Sequence, residues 1–101
     1  MPEEKQKVKQ IECGERMTIE QVESLYSQLE SALLEHDQIE LIADHVQQCD
    51  TASLQLILNL FRISKQQGHT VKWIKPSPAV INVAELLGLS EPLELQQYIT
   101  Q

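Results

Sequence analysis

The chain has 101 residues, of which 42% are hydrophobic and 4% aromatic, and this composition predicts one globular domain with a mostly aliphatic core. Its net charge of −7 disfavours nucleic acid and anionic membrane surfaces as partners, because clustered Lys and Arg side chains bind both. No stretch approaches the roughly 20 apolar residues of a membrane span, and no apolar segment near the amino terminus resembles a secretory signal, so we expect a cytoplasmic protein without direct membrane insertion.

The first predicted strand covers residues 8–13 and follows a polar stretch, residues 1–6, that we expect to be flexible. Apolar and polar residues alternate along the strand, which predicts that Ile11 and Cys13 face the core. Cys13 and the second cysteine, Cys49, are far apart in sequence and too few for a disulfide framework. We therefore expect both to be reduced and partly buried.

A first helix is predicted from Ile19 to about His36. Thr18 and Gln21 have the spacing of a capping box, in which the Thr18 hydroxyl accepts a backbone hydrogen bond and Gln21 reaches back. Apolar residues recur at helical spacing and predict the buried face. These residues are Ile19, Val22, Leu25, Tyr26, Leu29 and Leu33.

The second strand, Ile39–Ala43, is short and nearly all apolar, as is typical of a central strand in a parallel sheet. A polar segment, residues 44–49, follows it, and within that segment Val46 and Cys49 either extend the strand or pack beneath the turn. Asp50 then has the position of a helix N-cap, whose carboxylate accepts hydrogen bonds from the first turn of the next helix.

The second helix, which starts after Asp50, has an unusually wide apolar arc. Only a narrow stripe stays polar, and it consists of Gln55, Asn59, Arg62 and Gln66. The helix therefore needs cover on two sides, from a sheet and from a neighbouring helix or a partner chain, and a homodimer is one way to provide it. At the helix start, Ser53 falls on the apolar side, whereas Thr51 and Ala52 flank the polar stripe.

A third strand is predicted at residues 70–74, and Ser77-Pro78 predicts the start of a third helix that ends before Gly88. A short element at residues 93–99 comes last. Strands alternate with helices, which predicts an α/β fold with right-handed crossovers. We expect a single domain over residues 1–101, with a mixed, mostly parallel sheet of about four strands and helices on one face.

Residues that could catalyse a reaction or bind a metal do not occur in the patterns that those sites require. His36, His45 and His69 fall in different loops or element ends, and the pair of His45 and Cys49 is too weak a pattern for a metal site. Ser53 lacks the surroundings of a nucleophile elbow, and the three glycines form no phosphate-binding loop. We therefore predict no catalytic residue, no metal and no cofactor.

Five segments together resemble the signature of the STAS domain, the family of bacterial anti-sigma factor antagonists. They are Asp50-Thr51-Ala52-Ser53-Leu54, Gly68, Val71-Lys72-Trp73-Ile74, Pro76-Ser77-Pro78 and Leu87-Gly88-Leu89. The resemblance covers residues 8–90 and implies the STAS fold and a non-enzymatic role through protein–protein contacts. It extends to the STAS subunit of the lipid-asymmetry ABC transporter, in which a hydroxyl residue stands beside the Asp, as Thr51 does here.

The resemblance implies a turn without the usual phosphoacceptor. Antagonists of the sporulation type are phosphorylated on the second residue after the Asp, and this position is Ala52, which has no hydroxyl. If any residue is phosphorylated, Thr51 is the candidate, because the added charge would meet a favourable helix dipole, although Asp50 opposes it. The simpler alternative is an unmodified Thr51 at the surface. Ser53, where the family often has glycine, is expected to be structural.

The predicted function is that of a non-enzymatic regulatory or scaffold protein that docks to another protein in bacterial signalling. The partner is a kinase-type anti-sigma factor or a protein of a chemotaxis cluster. The alternative is an accessory subunit that binds the ATPase of a phospholipid-trafficking ABC transporter. A third hypothesis, a domain that senses a small molecule or nucleotide, has no basic or glycine-rich residues at the turn to support it. The docking surface extends to the neighbouring start of the third helix, and its predicted residues are Gln48, Asp50, Thr51, Ala52, Ser53, Gln55, Asn59 and Arg62.

Overall fold

The structure is a computed structural model, and it describes residues 8–98. Its elements in chain order are β1 Val8–Glu12, β2 Arg16–Met17, α1 Ile19–Glu35, β3 Gln38–Ile42, β4 Gln48–Cys49, α2 Thr51–Gln66, β5 Thr70–Ile74, α3 Pro78–Leu86 and a 3-10 turn at Gln96–Tyr98. The predictions for residues 1–6 and for Ile99 lie outside the described residues. None of the described helices combines the length and the apolar character needed to cross a bilayer.

The main sheet is parallel and is covered on one face. Its strand order is β1–β3–β5, so β3 lies in the middle. Ile11, Leu41 and Trp73 stand in one register row, and all three are buried. The row before it faces the other way and consists of Gln10, Glu40 and Lys72, of which only Glu40 is half-buried. The predicted α/β fold with a mostly parallel sheet and helices on one face is therefore confirmed.

A second sheet, of two short parallel strands, was not predicted. β2 pairs with β4, and Met17 stands opposite Cys49. Strands of two residues are too short to show an alternating pattern in the sequence. Val46 is buried just before β4, so it packs beneath the turn and does not extend β3. This small sheet places the start of α1 beside the start of α2.

The helices α1 and α2 lie side by side on the covered face of the main sheet, and α3 packs against β4. The buried face predicted for α1 is confirmed at four leucine and valine positions, and Tyr26 is half-buried. The prediction for Ile19 is wrong, because its side chain is 49% exposed. Ile19 is the first residue of the helix, and its backbone is bonded to Asp50 at the protein surface.

Trp73 joins the last part of the described chain to the core. Its ring stacks on Phe61 with the ring centroids 6.0 Å apart, and its Nε1–H donates to the Leu93 carbonyl at 2.9 Å. The Tyr98 hydroxyl donates to the Trp73 carbonyl at 3.1 Å. Leu93 and Leu95 are both fully buried. The predicted short last element is therefore a docked segment that continues into the 3-10 turn.

Candidate functional site

The Asp50 side chain caps two helices at once. Its Oδ1 accepts from the Ser53 N–H at 2.9 Å, and its Oδ2 accepts from the Ile19 N–H at 2.9 Å. The first contact confirms the predicted N-cap of α2. The Asp50 N–H itself donates to the Met17 carbonyl at 3.1 Å. One carboxylate therefore holds the starts of α1 and α2 together, and the two helices run in the same direction from this point.

The predicted capping box at Thr18 does not form. Thr18 is the N-cap residue of α1, but its side chain makes no capping hydrogen bond. Its carbonyl accepts instead from the N–H groups of Gln21 and Val22, at 2.8 and 2.9 Å. The side chain that caps α1 is instead Asp50, which accepts from the Ile19 N–H and whose negative charge is favoured at a helix N-terminus. The prediction was therefore wrong about which side chain caps α1.

The pKa of the Asp50 carboxyl is held below its ordinary value. The Ser53 hydroxyl and the N–H groups of Ser53 and Ile19 stabilise the charged form, while partial loss of water acts in the opposite direction. The Ser53 hydroxyl is buried and makes no well-formed hydrogen bond. We therefore assign most of the effect to the two backbone donors, each at 2.9 Å. Asp50 is ionised at neutral pH.

The predicted docking residues are mostly at the surface. Thr51 and Ala52 are exposed in the first turn of α2, Ser53 is fully buried as its helical position predicts, and Asp50 is half-buried. The other predicted residues are all exposed, and they are Gln48, Gln55, Asn59 and Arg62. Exposure makes these residues available to a partner, whereas Ser53 can contribute only to the shape of the turn.

The predicted surface divides into two parts. Arg62 lies roughly 16 Å along α2 from Thr51, at the rise of about 1.5 Å per helical residue. Asn59 lies between them, and its Nδ2 donates to the Tyr26 hydroxyl of α1 at 3.3 Å. Thus the structure brings together residues 48–55 at the amino end of α2, and it places Arg62 in the carboxyl-terminal half of that helix.

A shallow groove beside the turn adds α3 to the candidate site. Its walls are the start of α1, the residues of β4 and one side of α3. The lining residues are Thr18, Gln47, Gln48, Cys49, Asp50, Ala79, Asn82 and Val83. The sequence indicated only the start of the third helix as a neighbour. The contact reaches Asn82 and Val83, one turn farther, because β4 packs along α3, and no local pattern marks β4.

The two cysteines are free and are not activated as nucleophiles. Cys13 is buried and Cys49 is half-buried. Burial is the main cause that raises the pKa of each thiol to about 12. The charge of Glu12 adds to the effect at Cys13, and the charge of Asp50 adds to it at Cys49. Both thiols are neutral at pH 7, so hydrogen bonding and charge are the chemistry that the turn offers a partner.

One group of side chains within residues 8–98 could hold a metal ion. Glu12, Asp44 and His45 each bring a ligand atom to within 4.8 Å of the others, at the ends of β1 and β3. His45 Nδ1 lies 3.1 Å from Asp44 Oδ1. All three side chains are exposed, so water competes with them for any ion. The sequence did not indicate this group, which shares only His45 with the weak pair of His45 and Cys49.

A family model matches the chain, and a solved structure is similar to it in fold. The family model described as "Mlab, STAS domain" matches residues 1–97. The solved structure of the anti-sigma factor antagonist SpoIIAA in its unphosphorylated form is similar, with a TM-score of 0.68 and 17% sequence identity. The similarity covers 98% of this chain and 96% of that one. At this identity it shows a common fold. No curated protein sequence matches the chain.

Proposed function

The chain belongs to the STAS domain family, and we propose that it is a regulatory protein that docks to a partner protein and catalyses no reaction. The observation that carries this proposal is the Asp50 carboxylate, which fixes two helix starts and leaves Thr51 and Ala52 exposed beside them. A turn that is already rigid loses little conformational freedom when a partner binds it. The turn is therefore suited to recognition.

The proposed docking surface is the amino end of α2 together with the adjacent groove. Thr51, Ala52 and Gln55 form its exposed part on α2. Ala79 and Asn82 of α3 form the opposite wall of the groove. This surface combines small side chains, which let a partner approach closely, with amide and hydroxyl groups that can form hydrogen bonds.

We propose docking without a phosphoswitch at the usual family position, since Ala52 has no hydroxyl. Thr51 is exposed and can be modified, but a phosphate there would lie next to the Asp50 carboxylate that caps both helices. We therefore assign Thr51 the role of an unmodified contact. Mass spectrometry after incubation with a candidate kinase tests this assignment, and phosphate on Thr51 would contradict it.

The proposed partner is a kinase-type anti-sigma factor or a protein of a chemotaxis cluster, in the cytoplasm. The fold shared with an anti-sigma factor antagonist supports this class of partner. Docking to either class of partner uses hydrogen bonds and shape complementarity, and it does not require the phosphoacceptor that Ala52 lacks. The genes that neighbour this one supply the candidate proteins for a direct test.

The test is co-purification and affinity measurement with each candidate partner. Thr51→Glu places a charge in the centre of the proposed surface, and we expect it to weaken binding about tenfold or more. Gln66→Glu is the matched control, because it adds the same charge to an exposed position at the other end of α2. If Thr51→Glu binds every partner of the wild type as tightly as Gln66→Glu does, the turn is not the docking site.

A second candidate function is that of an accessory subunit bound to the ATPase of a phospholipid-trafficking ABC transporter. It is favoured by Thr51, an exposed hydroxyl residue directly after the Asp, as in the STAS subunit that the sequence resembles. The same assay distinguishes the two functions. Binding to a transporter ATPase, weakened by Thr51→Ala, together with no binding to a kinase-type factor or a chemotaxis protein, would assign the second function.

A further inference from the structure

We propose that a groove between α1 and α2, far from the turn, is the face through which two copies of this chain associate. The groove has a volume of about 480 Å³. Its apolar lining consists of Tyr26, Leu33, Leu34, Leu60 and Ile63. Leu34 is 86% exposed at the rim, although it lies on a helix that buries its other leucines against the sheet. This is an apolar side chain that association would cover.

The two helices that border the groove carry charges of opposite sign. The acidic residues of α1 are Glu20, Glu23, Glu30 and Glu35, and α1 has no Lys or Arg. The basic residues of α2 are Arg62 and Lys65, and α2 has no Asp or Glu. Lys65 Nζ lies 3.5 Å from Glu94 Oε2 of the same chain, so Arg62 is the cation considered for the dimer. Acidic residues of α1, with Glu30 in the wall of the groove, therefore stand beside Arg62 of α2. The total charge of −7 opposes association of copies, whereas this distribution favours it.

Glu30 of α1 and Arg62 of α2 lie at matching positions along the two helix axes. Asp50 bonds to the first turn of both helices, and the hydrogen bond between Tyr26 and Asn59 places these two residues side by side along the helix axes. Glu30 lies one turn beyond Tyr26, and Arg62 lies one turn beyond Asn59. Glu30 and Arg62 are therefore at about the same level along the two helices.

This arrangement selects one symmetry for a dimer. A two-fold axis across the helices would put α1 against α1 and would bring like charges together. A two-fold axis parallel to the helices puts α1 of one copy against α2 of the other, so that Glu30 faces the partner's Arg62. The same pair forms twice, because a two-fold contact is self-complementary. In this arrangement Leu34 of each copy lies over the groove of the other.

The dimer face is separate from the turn, and it assigns Arg62 a role different from docking. Arg62 lies near the level of Ile63, which lines the groove, whereas Thr51 lies at the opposite end of α2. The inference is therefore independent of the proposed partner. A failure of self-association leaves the Thr51→Glu test unaffected, and the converse also holds.

Sedimentation velocity of the full chain over a range of concentrations tests the proposal. We expect a dimer that dissociates on dilution, and we expect Leu34→Asp to raise its dissociation constant about tenfold or more, since each change occurs on both sides of the contact. Leu86→Asp is the matched control, because Leu86 is also 86% exposed and lies on α3. A chain that is monomeric at all concentrations, or a dimer that Leu86→Asp weakens as much as Leu34→Asp does, would overturn the proposal.

A charge exchange gives a second readout. Glu30→Lys and Arg62→Glu should each weaken the dimer, because each places like charges across the two-fold axis, and the double variant should restore it. Added salt should weaken the wild-type dimer. If the double variant associates no better than the single variants, Glu30 does not face the partner's Arg62, and the proposed symmetry is wrong.

Discussion

The pair of helices α1 and α2 differs in chemistry between its two ends. At the amino end, the Asp50 carboxylate bonds to both helices at 2.9 Å, and the exposed neighbours are Thr51 and Ala52. Toward the carboxyl end, Leu34 and Ile63 line an apolar groove, and Leu34 is 86% exposed. One pair of helices can therefore offer two kinds of surface. The amino end is rigid and polar, which suits directional recognition, and the carboxyl end is apolar, which suits association.

Of the substitutions that test the difference between the two ends, removal of the Asp50 carboxylate should lower the free energy of unfolding the most. Asp50→Ala leaves the starts of α1 and α2 without their shared cap, and each cap contributes about 0.5–2 kcal/mol. We expect the free energy of unfolding to fall by about 2 kcal/mol or more, as measured by urea denaturation at neutral pH.

The control for this substitution is Asp44→Ala, which removes an exposed carboxylate that contacts His45. It should change the free energy of unfolding by about 0.5 kcal/mol or less. Equal effects of Asp50→Ala and Asp44→Ala would mean that the amino end is not held by Asp50.

The contribution of Asp50 to stability at the amino end should depend on pH. The pKa of Asp50 is lowered in the folded chain from its ordinary value of 3.8, so the unfolded chain binds this proton more readily. The stabilisation is complete above the ordinary value and is lost as the pH falls through the lower folded pKa. Urea midpoints of the wild type and of Asp50→Asn should therefore converge as the pH falls below 3.8. A difference that grows in acid would contradict the sign of this shift.

Thr18 should matter much less than its sequence pattern suggests. A Thr that caps a helix through its hydroxyl contributes about 1 kcal/mol. The Thr18 side chain makes no such bond, so Thr18→Ala should lower the free energy of unfolding by about 0.5 kcal/mol or less. A loss near the full capping value, in urea denaturation beside Asp50→Ala, would show that α1 is capped locally.

Leu34→Asp should have the smallest effect on folding, because the side chain is already in water. We expect the free energy of unfolding of the monomer, measured at low protein concentration, to change by about 0.5 kcal/mol or less. The adjacent Leu33 is 7% exposed, and Leu33→Ala should cost about 2–5 kcal/mol. A large cost for Leu34→Asp would mean that the carboxyl end of the helix pair is closed in the monomer.

Local patterns predicted most of the fold. The β-branched residues of β5 identified that strand, and Asp50 lies three residues before the N–H that it caps in α2. Contacts between distant residues were not visible. Ile19 and Asp50, for example, are 31 positions apart. The periodicity of a single sequence does not show which distant side chain bonds to the first residue of a helix. β2 and β4 were missed for the related reason that two residues cannot show a period.

The candidate site was predictable to a similar extent. Helical spacing placed Thr51, Ala52 and Asn59 at the surface and Ser53 inside. It also grouped Arg62 with them, because a projection along the helix axis discards distance along that axis. The α3 wall of the groove, with Asn82, depends on the packing of β4, and only the three-dimensional structure provides it.

The contacts of Trp73 make the chain a reporter of its own carboxyl-terminal segment. Trp73 is the only tryptophan of the chain, and it is buried. Its indole lies beside Phe61, and its N–H donates to the Leu93 carbonyl. Emission from such an indole is blue-shifted relative to one in water. Separation of the segment around Leu93 from the core would shift the fluorescence to the red, even while α1 and α2 stay folded and the helical circular dichroism signal is unchanged. Intrinsic fluorescence therefore distinguishes local opening of this segment from global unfolding, without a label.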